Sequence, residues 1–232
     1  MSTVEHATKT RIVPPLVEGQ RLDRATFHER YRAMPPGTRA ELIGGVVHMA
    51  SPLGFAHGRR DSDVSDWLGY YTLRTPGVLK ALNTTTQFDD YGEPQPDNLV
   101  LIPAELGGQT RIVDGFIVGA PELVVEVGKS SRRLDLGAKK LDYERAGVLE
   151  YVFVGIDPDE VRWFCRRDGR FAELVPGTDG IFRSEVFPGL WLDPPALLVG
   201  NVAGAVAVLD RGIATPEHAA FAARLATAAK RT

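Results

Sequence analysis

The sequence predicts a mixed α/β fold, a sheet with helices packed against it, and three observations predict it. Leu123 to Val127 reads Leu-Val-Val-Glu-Val, the short and nearly continuous apolar run of a central strand covered on both faces. A segment with helical spacing, Leu134 to Ala146, follows it directly, and a second strand-like run begins at Tyr151, which makes a strand–helix–strand unit. Two further runs, Val161 to Cys165 and Arg170 to Val175, are joined by Asp168-Gly169, so the unit passes into a meander. At 232 residues, with 44% hydrophobic and 25% charged residues, the chain suits one substantial globular domain with appendages, and disorder of the whole is excluded.

Taken in order, residues 1–20 show no sustained period and contain Pro14-Pro15, the mark of a loose arm. A helix is expected over Arg24 to Arg32, with Asp23 as its N-cap and Met34-Pro35-Pro36-Gly37 as its stop. Ala40 to Ile43, Gly44-Gly45 and Val46 to Met49 form a hairpin pattern, because two glycines supply the positive φ angles of a tight turn. That turn sets Ile43 opposite Val46 and Glu41 opposite His48. Pro52 to Ala56 reads as loop. From His57 the apolar positions Val64, Trp67, Leu68 and Tyr71 recur at helical spacing until Pro76-Gly77. Val78 to Leu82 is a strand, and a polar turn from Asp89 leads to Asp97 and the strand Asn98 to Ile102. In the helix after the central strand the expected core stripe is Leu134, Ala138 and Leu141, with Gly147 as terminator. After Pro194-Pro195 the composition turns to Ala, Leu and Val at helical spacing, and Thr215-Pro216-Glu217 opens a last helix to about Lys230. The organisation read from this is an arm over 1–20, a main domain over 21–195 and a helical appendage over 196–232. The apolar positions 197, 198, 202, 205, 206 and 209 must be covered by the chain's own domain or by a partner.

The net charge of −3 and pI near 6.0 exclude a protein that holds nucleic acid by overall basic excess. Any such contact must be local: Arg59-Arg60, Arg132-Arg133 with Lys139-Lys140, or Arg162 with Arg166, Arg167 and Arg170. One cysteine, Cys165, cannot form an intramolecular disulfide, which fits a reducing cytoplasm. The chain shows no secretory pattern and no stretch long enough to span a bilayer, so a cytoplasmic protein without membrane association is expected.

The acids are the chemically informative residues. Strand alternation puts Glu122, Val124 and Glu126 on one face. A carboxylate on an otherwise apolar strand is costly to bury unless a cation or a donor meets it, and Mg²⁺ is a hard ion that takes carboxylate and water oxygens. Asp97 opens the other apolar strand, and Asp135, Lys139 and Tyr143, spaced by four, share a helix face adjoining the strand end. The plainer alternative is an Asp135–Lys139 surface ion pair. There is no phosphate-cradling glycine motif, no zinc spacing and no Gly-x-Ser-x-Gly elbow, and a two-carboxylate glycosidase leaves the lysine without a purpose.

An ordered set of short motifs carries a resemblance. It runs through Glu41-Leu-Ile-x-Gly45, Ser51-Pro52, His57, Gln95-Pro96-Asp97 and Pro121-Glu122-Leu-Val-Val-Glu126-Val. It continues through Asp135-Leu-Gly-x-Lys139-x-x-x-Tyr143, Ala146-Gly-Val-x-Glu150-Tyr and Phe187-Pro-Gly-Leu190. From about Glu41 to Leu192 the chain resembles the Uma-two putative restriction endonucleases of the PD-(D/E)XK nuclease superfamily. The resemblance implies a restriction-endonuclease-like mixed β-sheet core flanked by helices, with an N-terminal β-hairpin and a C-terminal helical appendage. It implies that Asp97 and Glu126 hold one or two Mg²⁺ (or Mn²⁺) ions, that Glu41 adds an acidic ligand, and that Lys139 stabilises charge or orients the attacking water. His57, Arg132, Arg133 and Tyr143 are the expected substrate contacts, DNA the expected substrate and a homodimer the expected assembly. Three positions depart from the pattern: Gly128 where the superfamily lysine usually stands, Gly44 where the family is commonly acidic, and Lys129-Ser130 in place of Ser-Pro. The alternative of another class is a catalytically silent protein of this fold that binds DNA or a protein partner.

Overall fold

The computed structural model describes residues 13–231. The first twelve residues of the expected arm lie outside the described residues. The rest of it is anchored: Leu16 is buried, and the Gly19 N–H donates to the Val47 carbonyl at 2.8 Å.

The centre is a six-stranded sheet. Its strands are β3 (Leu79–Leu82), β5 (Asn98–Leu101), β8 (Leu123–Gly128), β9 (Glu150–Ile156), β10 (Asp159–Arg167) and β11 (Arg170–Glu173), in the order β11-β10-β9-β8-β5-β3. Only β8 and β9 pair in parallel, because the helix between them carries the chain back across the sheet; every other pair is antiparallel. β8 is buried at all six positions, as its run of apolar residues predicts. Its alternation divides the core in two. Leu123, Val125 and Val127 face α2 (Phe55–Arg74), which buries Val64, Trp67, Leu68 and Tyr71. Val124 faces the other way, toward Tyr143, Tyr151 and Phe153.

The hairpin of β1 (Ala40–Ile43) and β2 (Val46–Met49) has the expected register, Ile43 against Val46 and Glu41 against His48, with Gly44 and Gly45 at φ 56° and 76°. With α1 (Arg24–Arg32), capped by the Asp23 side chain on the Thr26 N–H, it forms a satellite core around Leu16, Phe27, Leu42 and Val47. Smaller pairings join β4 (Thr86–Gln87) to β7 (Phe116–Val118) and β6 (Arg111–Val113), and β12 (Phe182–Arg183) to β13 (Trp191–Leu192).

The helix between β8 and β9 corrects the sequence reading. It comprises α3 (Arg132–Leu134), a π-helical turn (Asp135–Lys139) and α4 (Lys140–Ala146), and ends at Gly147 with φ 99°. The expected stripe does not face the core: Leu141 is 60% exposed and Ala138 is exposed. Buried instead are Asp135, Lys139, Asp142 and Tyr143. A π turn inserts a residue into the helical repeat, and the face so chosen meets Glu126 on β8, which needs donors more than it needs apolar cover.

The segment after Pro195 forms most of α5 (Pro194–Leu198), then α6 (Val202–Ile213) and α7 (Pro216–Ala229), the last capped by Thr215 as expected. Leu197, Leu209, Phe221 and Leu225 lie in the same core as the sheet and α2, so the chain itself covers the apolar face of this segment. No helix among the described residues is long and apolar enough to cross a membrane.

Candidate active site

Glu126 is the acid that β8 turns toward the π-helical face, and it is 3% exposed. Two donors meet its Oε1: Lys139 Nζ at 3.0 Å and the hydroxyl of the fully buried Tyr143. Spacing by four brings both donors to one side of the helix. Lys139 Nζ also lies 2.9 Å from Glu41 Oε2 and 3.9 Å from Asp135 Oδ1. Glu41 is fixed in turn, its Oε1 accepting the Gln95 N–H at 2.7 Å.

Asp97 immediately precedes Asn98, which pairs with Val125, so the antiparallel register sets Asp97 beside Glu126. Asp97 Oδ2 accepts the Val127 N–H at 2.8 Å, and Oδ1 faces His57 Nε2 at 3.7 Å, beyond hydrogen-bond length. Asp61, one turn after His57 on α2, accepts from Asn98 Nδ2 at 2.6 Å.

The electrostatics follow from crowding acids in a dry place. Burial, helped by the charges of Asp97, Asp135 and Glu41, raises the Glu126 carboxyl well above its ordinary range against the pull of Lys139. Burial likewise raises Asp135, to about 6. Burial opposes the charge on Lys139, but Glu126, Glu41 and Asp135 together outweigh it and hold the side chain as an ammonium. At His57 the interaction with Asp97 exceeds the effect of burial and raises the imidazole.

Gly128 occupies the position where the resemblance expects a lysine. A Cβ built there would stand 2.6 Å from Asp135 Oδ2, 2.7 Å from Phe153 Cε2 and 2.9 Å from Ser131 Oγ. A side chain at the position two residues after Glu126 would have to displace those of Asp135, Phe153 and Ser131, and the ammonium that meets Glu126 comes from the helix.

Three carboxylates, those of Glu41, Glu126 and Asp135, thus surround one ammonium, and Asp97 stands beside Glu126. Among the described residues no three His, Cys, Asp or Glu side chains converge closely enough to ligate an ion as they stand, and Lys139 lies between Glu41 and Glu126. The residues nonetheless suit a hard divalent cation. They offer hard oxygen donors and an excess of negative charge, and both donors to Glu126 load Oε1, so Glu126 Oε2 and Asp97 Oδ1 accept no hydrogen bond within the described residues.

Of the residues singled out from the sequence, Glu41, His57, Asp97, Glu126, Lys139 and Tyr143 are brought together. Tyr143 is inside, bonded to Glu126, so it meets no substrate. Arg132 is engaged by Glu160 and Arg133 is exposed. The other basic candidates are mostly engaged as well: Arg59 with Asp63, Arg60 with Asp159, Arg162 with Glu173, Arg167 with Glu185 and Arg170 with Glu144. Glu122 sits at the opposite end of β8 and accepts the N–H groups of Ile102 and Gln109, and His48 pairs with Glu18 at 3.5 Å rather than with Glu41. Asp61 and Asn98 escaped the sequence reading; the signal was available in the four-residue step from His57 to Asp61 and in the adjacency of Asn98 to Asp97.

The model of the Uma2 family, described as "Putative restriction endonuclease", matches residues 25–195. Among solved structures the chain is similar to a putative nuclease belonging to DUF820 from Anabaena variabilis ATCC 29413, at 15% identity and a TM-score of 0.57, over 74% of this chain and 97% of that one. No curated protein matches it.

Proposed function

From the premise that the chain belongs to the Uma2 family of putative restriction endonucleases, we propose that it is a divalent-metal-dependent endodeoxyribonuclease, with Mg²⁺ or Mn²⁺ held by Asp97 and Glu126 and assisted by Glu41. One observation carries the reading: a carboxylate buried at the end of a central strand, with a second acid beside it, shares its open side with a buried lysine. Structural ion pairs rarely gather three acids around a single cation in the core with a fourth beside them, since each unpaired charge costs several kcal/mol.

Such an ion, when bound, supplies positive charge against the phosphodiester and acidifies a coordinated water. The chain's own residues do the rest. Tyr143 and the Val127 N–H hold Glu126 and Asp97 by one oxygen each and so aim the other. Lys139 carries a compact charge toward the oxygens that become negative as the phosphorus is attacked. The protonated form of His57 offers an N–H to a phosphate beside Asp97. A two-fold pair of such chains would cut both strands of a duplex with one site each.

Supercoiled plasmid incubated with the protein and Mn²⁺ or Mg²⁺ tests this. Nicking that needs the ion and is lost in Asp97→Ala and Glu126→Gln is the expected result, and absence of cleavage by correctly folded protein on duplex, single-stranded and nicked DNA overturns it. The silent reading draws support from the ammonium seated between Glu41 and Glu126, and that outcome would establish it.

A further inference from the structure

We propose that residues 50–56, the link from β2 to α2 together with the first two residues of α2, form a base-contacting lip of this site, with Phe55 and Leu53 meeting a nucleobase of the DNA strand held there. The inference rests on the nuclease reading and names the part of the substrate that the site's acids and lysine do not address.

The segment reads Ala50-Ser-Pro-Leu-Gly-Phe-Ala56, without a charged residue, and all seven residues are exposed. Both of its ends are tied to the site. At one end the Ala50 N–H donates to the Arg39 carbonyl at 3.0 Å, and Met49 pairs with Ala40, the neighbour of Glu41. At the other, His57 faces Asp97. A seven-residue link between these two points has to border the acids.

Phe55 is 88% exposed, the most of any large hydrophobic side chain among the described residues, and Leu53 is 60% exposed. Other exposed apolar residues lie elsewhere: Leu73 at the far end of α2, Leu79 and Leu82 on the edge strand β3, Ile112 and Val113 on β6, and Val175 and Val199 singly. Leu53 and Phe55 lie together where the link from β2 enters α2, within a few residues of His57, and packing does not explain their exposure.

The chemistry of the segment selects the occupant. It has no cation for a phosphate, whereas an aromatic face stacks on any base. A second copy of the chain is the lesser fit, because a stable pair buries about 800 Å² on each partner and one phenylalanine with one leucine supplies a fraction of that.

The test compares the full chain with Leu53→Ala/Phe55→Ala and Phe55→Trp, using fluorescein-labelled single-stranded and duplex oligonucleotides without added divalent ion, over a salt series. Both residues are exposed, so the variants should melt with the wild type. The double variant is expected to bind about 10-fold or more weakly. The slope of log K against log salt should stay unchanged, since no phosphate contact is lost. Phe55→Trp should bind like wild type, and 2-aminopurine in the oligonucleotide should be quenched by wild type and by Phe55→Trp but not by the double variant. Unchanged affinity and quenching, a shallower salt slope, or loss of a dimer in light scattering on removing the two side chains would each overturn the lip. Wild-type protein that neither binds nor cuts DNA would overturn the nuclease reading and the lip with it, whereas cleavage with an unaffected double variant removes the lip alone.

Discussion

Tyr143 puts a hydroxyl where the core would otherwise take a phenylalanine, and what it gains is control of one carboxylate oxygen. Burial and the Glu126 charge raise its pKa, so it remains a donor at any working pH. Tyr143→Phe removes that donor while keeping the ring that packs on Tyr151 at 5.2 Å. Because partners of ligating carboxylates typically account for about 10- to 100-fold in metal affinity, the variant should need that much more Mn²⁺ for a half-maximal thermal shift. A Mn²⁺ titration identical to wild type would deny Tyr143 this role. Lys139 and Lys140 make a sharper contrast. Lys140 lies over the Phe164 ring at 3.9 Å, directed away from the acids. Lys139→Ala should therefore slow cleavage by on the order of 10²-fold. It should also lower metal-free stability by about 3–5 kcal/mol, because Glu126 loses its buried cation. Lys140→Ala should do neither, and cleavage kinetics with urea melts of both variants decide it. Gly128 was legible as a break in the superfamily pattern, but its cause was not: the crowding by Asp135, Phe153 and Ser131 is made by residues distant from it on the chain or on another turn.

At the scale of elements, strands and caps read well from local signals. The hairpin register, the Asp23 and Thr215 caps, the Gly147 stop and the buried run of β8 all follow from residues within a few positions of one another. The helix over 132–146 did not, since two stripes compete in it at the same period. Leu134, Ala138 and Leu141 offer an apolar face, and Asp135, Lys139 and Tyr143 a polar one. The winner is set by the acid across the interface on β8, and periodicity within the helix holds no information about that. Glu150, at the start of β9, is a second buried acid of this kind: it accepts from the Ser184 hydroxyl and the Glu185 N–H, and burial raises it to about 7. A carboxyl raised on folding binds its proton more tightly in the native state. Its contribution to stability is therefore complete below the ordinary 4.5 and is lost as pH rises to about 7. Glu150→Gln should remove this dependence, so the stability of the variant relative to wild type should grow between pH 4.5 and 8 by up to roughly 3 kcal/mol. Urea denaturation of both proteins at the two pH values provides the measurement, and parallel pH profiles would refute it.

For the whole molecule, composition and the order of motifs were enough for the α/β class and the family, yet they suggested an arm and an appendage at the ends. The described part of the arm is instead bonded to β2, and the C-terminal helices close the core on the α2 side of the sheet. Alanine-rich helices look peripheral in sequence because their few large residues are spaced far apart, and only the tertiary arrangement shows what those residues fill. Here Leu197, Leu209, Phe221 and Leu225 meet the residues of α2 and the sheet, and the Trp67 indole donates to the Trp191 carbonyl just before them. Fully burying a side chain of this size contributes about 1.5–3 kcal/mol. Losing four of them approaches the whole stability of an ordinary domain, about 5–15 kcal/mol. A chain ending at Pro195 is therefore expected to lack a cooperative thermal transition and to expose apolar surface to a hydrophobic dye. The homodimer proposed for double-strand cleavage would then have to use another surface, because the apolar face of α6 is already spent within the chain. Circular dichroism melts and light scattering of the full and shortened chains test both points at once. A shortened chain that folds as well as the full one and differs only in having become monomeric would restore the helices to the role of a dimer interface and defeat this prediction.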